Sequence, residues 1–265
     1  MIRFVCATLL ALATSAASAA SITDLNAWTQ LQDPPHPGMA GVVDNASQVT
    51  LTATGAVPSG TDIGYASVNG PDVAGSTGGY YFDPAQSFVV AIDFDLSAGG
   101  SIGGGGIGFG IGEDVGGTDS AGVGLALLNG APLLFSAASR VNDIDQPLSN
   151  FAAAATASGR LFVNYNAATG DITLGVNAMQ GVGMASDTVT LAGLQNLWDD
   201  EPLLVSFFLR SQAAGPIPAL TAGSLEAVFS NFEVLSGTPL TVVPEPASLF
   251  LTVLVGGAGL ICRRR

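Results

Sequence analysis

A strict two-residue alternation limits what this chain can fold into. In SFVVAIDFDL, Phe88, Val90, Ile92, Phe94 and Leu96 share one face, and Asp93 and Asp95 lie on the other. That is the period of a strand buried on one side. IGFGIG sets Ile107, Phe109 and Ile111 against glycines, and GVGLALL repeats the device with Val123, Leu125 and Leu127. The acidic, glycine-rich segment GEDVGGTDSAG joins them, so the two are expected to pair as antiparallel neighbours. RLFVNYNAATGDITLGVN reads as a hairpin: Leu161, Val163 and Tyr165 alternate, NAATGD turns, and Ile172, Leu174 and Val176 alternate back. Further strands are expected in SQVTLTAT, PLLFSAAS, LLVSFFLR and LEAVFSNFEVL, with short helical turns in FAAAATAS and LQNLWDD. Neither a long amphipathic helix nor an internal repeat is visible. Strands separated by glycine-rich turns predict an all-β body, a sandwich or barrel.

The two ends obey other rules. MIRFVCATLLALATSAASAA has one positive charge at Arg3, an apolar run and the small-x-small pattern of Ala17 and Ala19. Residues 1–19 therefore read as a secretory signal peptide. At the other end, sixteen residues from Ala247 to Cys262 are uncharged, and as a helix they would reach roughly 24 Å. Arg263, Arg264 and Arg265 follow as a membrane stop that stays on the cytoplasmic side. Residues 243–265 thus predict a single transmembrane helix, and residues 20–242 form the body between the two ends.

Pro244-Glu245-Pro246, an apolar helix and an arginine cluster, in that order at the extreme terminus, resemble the PEP-CTERM family of bacterial sorting signals. The resemblance implies export across the inner membrane of an exopolysaccharide-producing Gram-negative bacterium. It also implies transient anchoring by the C-terminal helix and processing by a membrane-embedded transpeptidase, the exosortase. The mature protein would then reside at the cell surface or outside the cell. The prolines hold the backbone extended and stop the helix from growing backwards. The order of strands from Phe88 to Leu235, with a central hairpin carrying Tyr165 and Gly170, is similar to concanavalin-like or laminin-G-like jelly rolls. That implies a jelly-roll-like antiparallel β-sandwich, a fold shared by lectins, glycosidases and adhesion modules.

Composition narrows the chemistry. Cys6 and Cys262 both lie in the end segments, so the body has no disulfide framework. There is no lysine, and residues 20–242 carry twenty acids against Arg140, Arg160 and Arg210, an excess of seventeen negative charges. Such a surface repels nucleic acid and anionic lipid. Gly99-Gly100-Ser101-Ile102-Gly103 matches a nucleophile pattern, but it precedes a strand rather than sitting at a strand-to-helix elbow. The single histidine, His36, lies among prolines and leaves a triad without a positioned base. Gly103, Gly105 and Gly108 match a phosphate-cradle spacing without the helix it requires.

Asp93 with Asp95, and Asp143 with Asp145, are spaced to face one side of a strand, as paired carboxylates of a retaining glycosidase must. The glutamates, however, never cluster as in laminarinase-like enzymes. Glu113, Asp114 and Asp119, with Asp93 and Asp95, are the candidate ligands for calcium, the one candidate cofactor. The glycine face of GIGFGIG allows either close sheet packing or the approach of a flat sugar ring, with packing the expectation. Trp28 and Trp198 are candidate stacking residues without an evident platform.

The chain is therefore expected to be a non-enzymatic, exosortase-sorted cell-envelope or matrix protein. Its expected role is structural or adhesive, in association with extracellular polysaccharide. A lectin-like carbohydrate-binding module and a jelly-roll polysaccharide hydrolase are the alternatives. Replacing Pro244, Glu245 and Pro246 together with alanine should leave export intact and stop tail processing. An uncut form should then accumulate in the membrane fraction, as read by immunoblot; normal trimming would remove the triplet as the recognition element.

Overall fold

Alternation becomes two stacked antiparallel sheets in the computed structural model, which describes residues 22–128, 133–151, 157–211 and 219–242. The expected signal peptide, the sorting tail and most of FAAAATAS lie outside the described residues. One sheet follows the order β1 (Thr29–Asp33), β4 (Asp62–Ala66), β15 (Leu204–Arg210), β7 (Gly104–Gly112), β8 (Ser120–Leu128), β9 (Leu134–Val141) and β10 (Ile144–Asp145), with β11 (Ser149–Phe151) also paired to β9. The other runs β14 (Asp187–Leu191), β13 (Asp171–Asn177), β12 (Ser158–Asn166), β6 (Phe88–Gly99), β16 (Ser224–Ser236), β3 (Gln48–Thr54) and β2 (Met39–Asn45). β5 (Tyr80–Tyr81) and β17 (Leu240–Thr241) make a short ribbon. Single 3-10 turns occur at Leu25–Ala27 and Gln195–Leu197, the latter inside LQNLWDD. Among the described residues no helix is long and apolar enough to cross a membrane.

The expected pairings hold. β7 and β8 run antiparallel with Phe109 opposite Val123, and β12 and β13 form the hairpin with Val163 opposite Leu174. Strands β1, β2 and β4 were not anticipated, because TQLQD, MAGVVDN and DIGYA are short and lack clean alternation.

The apolar face of each sheet turns inward, and aromatic rings bridge the two layers. Phe207 of β15 lies 4.6 Å from Phe229 of β16. Phe109 of β7 meets Phe232, and Phe94 of β6 meets Phe135 of β9, each pair edge-on with centroids 6.2 Å apart. Such pairs add about 0.5–1.5 kcal/mol beyond the area they bury. Trp28 packs into the same core against Phe207 and Phe232, and its indole N–H donates to the Ile22 carbonyl. Trp198 is also buried. Neither tryptophan forms a surface platform.

On the far face of the second sheet, Arg160 is buried opposite Asp93 in register. Its Nη1 is 3.4 Å from Asp93 and its Nη2 is 2.6 Å from Glu233. Asp93 also accepts the Gly181 N–H and an Asn231 side-chain N–H. Asp93 is therefore an internal counter-ion rather than a surface acid beside Asp95, and the sequence-based carboxylate pair at 93 and 95 is corrected accordingly.

Removing Arg160 would strand a buried charge. Arg160→Met should lower the unfolding free energy by about 3–5 kcal/mol in urea titrations. Adding Asp93→Asn should recover part of that loss; no recovery would show that Arg160 acts through packing alone.

Candidate functional site

The outward face of the first sheet is paved with residues that have almost no side chain. Strand register sets the paving. One cross-strand row reads Leu31, Gly64, Phe208, Gly108, Gly124 and Ser136. The next reads Thr29, Ala66, Ser206, Gly110, Gly122 and Ala138. Beyond these lie Asp33, Asp62, Arg210 and Gly106 at one end, and Gly112, Ser120, Arg140 and Asp145 at the other.

The result is a groove of about 780 Å³. Four alternate glycines of β7 extend over ~20 Å, and the three strand spacings from β15 to β9 give a width of ~14 Å. The glycines of β7 line this groove but are themselves buried, in line with the expected close packing.

Packing does explain some of these glycines. A Cβ on Gly108 would fall within 2.3 Å of the Phe208 ring, and one on Gly110 within 2.4 Å of the Ala121 carbonyl. Gly124 differs. A Cβ there would meet nothing closer than Ser136 Oγ at 3.5 Å, which is ordinary contact, so the sheet does not require glycine at this position.

Phe208 is the aromatic ring in these rows, with the Arg210 guanidinium over it at 5.4 Å. Arg210 donates through Nε (3.1 Å) and Nη2 (2.6 Å) to one oxygen of Asp62. Burial pushes the Asp62 carboxyl up, Arg210 opposes this, and Asp33, directly opposite in register, adds to the rise. At the other end Arg140 is ion-paired to Asp143 and Asp145 and donates to the carbonyls of Gly116, Gly117 and Asp143. The Asp143–Asp145 pair is thereby tied to Arg140 and is not a free pair of carboxylates. LLVSFFLR held the clue to Ser206, Phe208 and Arg210, since the period that sends Phe207 inward sends these outward. Leu204 and Phe208, apolar but outward, hid it.

The candidate calcium ligands occupy separate settings. Asp93 is buried with Arg160, and Asp95 is exposed on the same strand. In the 113–119 loop, Asp114 accepts the Thr118 N–H and Asp119 accepts the Asn142 N–H. Glu113 turns inward and accepts the N–H groups of Asp199 and Glu201. Among the described residues no three His, Cys, Asp or Glu side chains gather to hold a metal ion. His36 accepts the Gly38 N–H through Nδ1, in the loop before β2.

Glu113 is buried in the loop whose Asp114, Gly116 and Gly117 line one end of the groove. Burial pushes its carboxyl up to about 7; the N–H bonds from Asp199 and Glu201 oppose the rise, and the charges of Asp119 and Asp199 add to it. It joins the β7–β8 loop to the segment that leads into β15.

No family model matches this chain, and no curated protein matches it. Among solved structures it is similar to a family 18 polysaccharide lyase (12% identity, 82% of this chain and 96% of that one, TM-score 0.47). A lichenase from a mouse hindgut metagenome is similar at 11% identity, 78% and 92% coverage and TM-score 0.45. A legume lectin-like domain from Entamoeba histolytica is similar at 14% identity, 82% and 99% coverage and TM-score 0.43. At such identities the likeness concerns the fold. Because polysaccharide-cleaving enzymes stand among these similar structures beside a lectin, the expectation of a non-enzymatic body is withdrawn.

Glu113 gives the folded protein a pH signature. The folded protein keeps this proton up to about pH 7, whereas an ordinary glutamate releases it near 4.5. The unfolded chain then binds fewer protons than the native state, so stability must fall as pH rises through that window. Denaturant titrations from pH 4.5 to 7.5 should show this decline, and Glu113→Gln should flatten it. Parallel pH profiles for the two proteins would contradict the assignment.

Proposed function

We propose that the groove holds a polysaccharide chain, in an exported, exosortase-sorted protein of the cell envelope or extracellular matrix. The observation that carries the reading is the side-chain-free strip around Gly124, where glycine is kept although packing has room for more. A bare floor lets a flat ring approach the backbone. Phe208 offers an apolar edge, and Ser136 and Ser206 offer hydroxyls beside it. Export and sorting rest on the resemblance of the tail to PEP-CTERM signals. With that tail, the groove supports a structural or adhesive role at extracellular polysaccharide, by lectin-like recognition.

Cleavage of the bound chain is a second reading, favoured by the Asp33–Asp62 pair. Directly opposed strand residues hold their Cβ atoms ~4.5–5.5 Å apart, in keeping with the ~5 Å carboxyl spacing of retaining glycosidases. Asp62 also has the raised pKa that suits an acid.

Gly124→Val tests the groove. Valine suits a strand and its methyls project into the groove. Affinity electrophoresis of the full chain through polysaccharide gels should show retardation that the variant loses by at least about tenfold, equivalent to ~1.4 kcal/mol. Its melting temperature should be unchanged or higher. Equal retardation of both proteins would reject the groove as the binding surface. Reducing ends released by the wild type but not by Asp62→Asn would select the cleavage reading.

A further inference from the structure

We infer that the polysaccharide chain this groove accepts is an uncharged one, recognised through its hydroxyls, and that acidic chains are excluded from it. The inference rests on the groove reading and adds the class of ligand. It starts from a scarcity: residues 20–242 contain three cations, Arg140, Arg160 and Arg210, and no lysine. Arg160 is buried on the far face of the other sheet, against Asp93 and Glu233. The remaining two both line the groove, at opposite corners.

Both are already engaged. Arg210 is held by Asp62. Arg140 is held by Asp143 and Asp145 and by three backbone carbonyls. Each arginine's charge is thus already balanced by a carboxylate, and a uronate or sulfate lying on the glycine floor would have to share its counter-charge with that partner. It would also face Asp33, Asp62, Asp114 and Asp145, which line the same groove and outnumber its arginines by two. With a groove width of ~14 Å, a ligand at the centre lies within about a Debye length of both sides at ordinary ionic strength. The seventeen excess negative charges of the body add to the repulsion at long range.

What the groove does offer suits a neutral polyol. Exposed carboxylate oxygens at Asp33 and Asp145 accept hydrogen bonds from hydroxyls. Ser136 and Ser206 can donate or accept, and the glycine backbone admits a ring at close range.

The test is a matched pair of ligands. A soluble mixed-linkage β-glucan and a galactomannan would each be tried before and after oxidation of their primary hydroxyls to carboxylates. Affinity electrophoresis with the full chain would be run at low and high sodium chloride. The unmodified polymer should bind with a dissociation constant that changes by less than about twofold with salt. Its oxidised form should bind at least about tenfold more weakly at low salt, with the gap narrowing as salt rises. Equal or tighter binding of the oxidised form would overturn the inference while leaving the groove reading intact, provided Gly124→Val still abolishes it. No retardation by any of the polymers would instead remove the groove reading, and this inference with it.

Discussion

One strand sets the terms for the rest of this molecule. β7 presents Ile107, Phe109 and Ile111 to the core and glycines to the opposite face, where they too are buried. Its inner side is anchored by Phe109 against Phe232, and its neighbour β15 by Phe207 against Phe229. Anchorage on one side leaves the other to be covered by a neighbour's ring, as Phe208 covers Gly108, or left open, as at Gly124 of β8. Where alanine would fit, as at Gly124, glycine in a strand costs about 0.5–1 kcal/mol, a visible share of the 5–15 kcal/mol that keeps a domain folded. At Gly108 and Gly110 the choice is narrower, because Phe208 and the Ala121 carbonyl occupy the space of a Cβ. The floor is thus partly dictated by the sheet and partly left open beyond what the sheet demands.

The inward faces were legible because burial and period coincide: Phe88 to Leu96, Leu161 to Tyr165 and Ile172 to Val176 each place apolar residues on one side, and each of those sides is buried. The groove was half legible. The glycines declared an odd face, but only register shows that Gly108 and Gly124 lie side by side, with Phe208 beyond one and Ser136 beyond the other. Register depends on strands far apart in sequence, and β4, which brings Asp62 to Arg210, is too short for its pattern to be read.

The acidic loop shows another limit. GEDVGGTDSAG has the composition of a cation site, yet its carboxylates serve backbone groups. Glu113 accepts from Asp199 and Glu201, and Asp119 accepts from Asn142, partners supplied by other loops and invisible to local spacing. Asp93 was misread for a related reason. Its alternation marks an outward strand position, but Arg160 arrives in register from β12, and Asn231 and Gly181 close over it.

Capping also explains how so acidic a body holds together without lysine or disulfide. Asp24 accepts the Asn26 N–H, Asp83 that of Ala85 and Asp171 that of Gly193. A carboxylate bonded to backbone N–H groups is stabilised where it stands and needs no cation beside it. The arginines are thereby left for joints between elements: Arg160 links β12 to β6 and β16, Arg210 links β15 to β4, and Arg140 links β9 to the 113–119 loop. Among the described residues all three arginines serve as structural joints, so none is left over to attract a partner by charge. Selectivity at the groove must then come from shape, from the closeness a glycine floor allows, and from hydroxyl-to-acceptor hydrogen bonds, which salt screens far less than ion pairs.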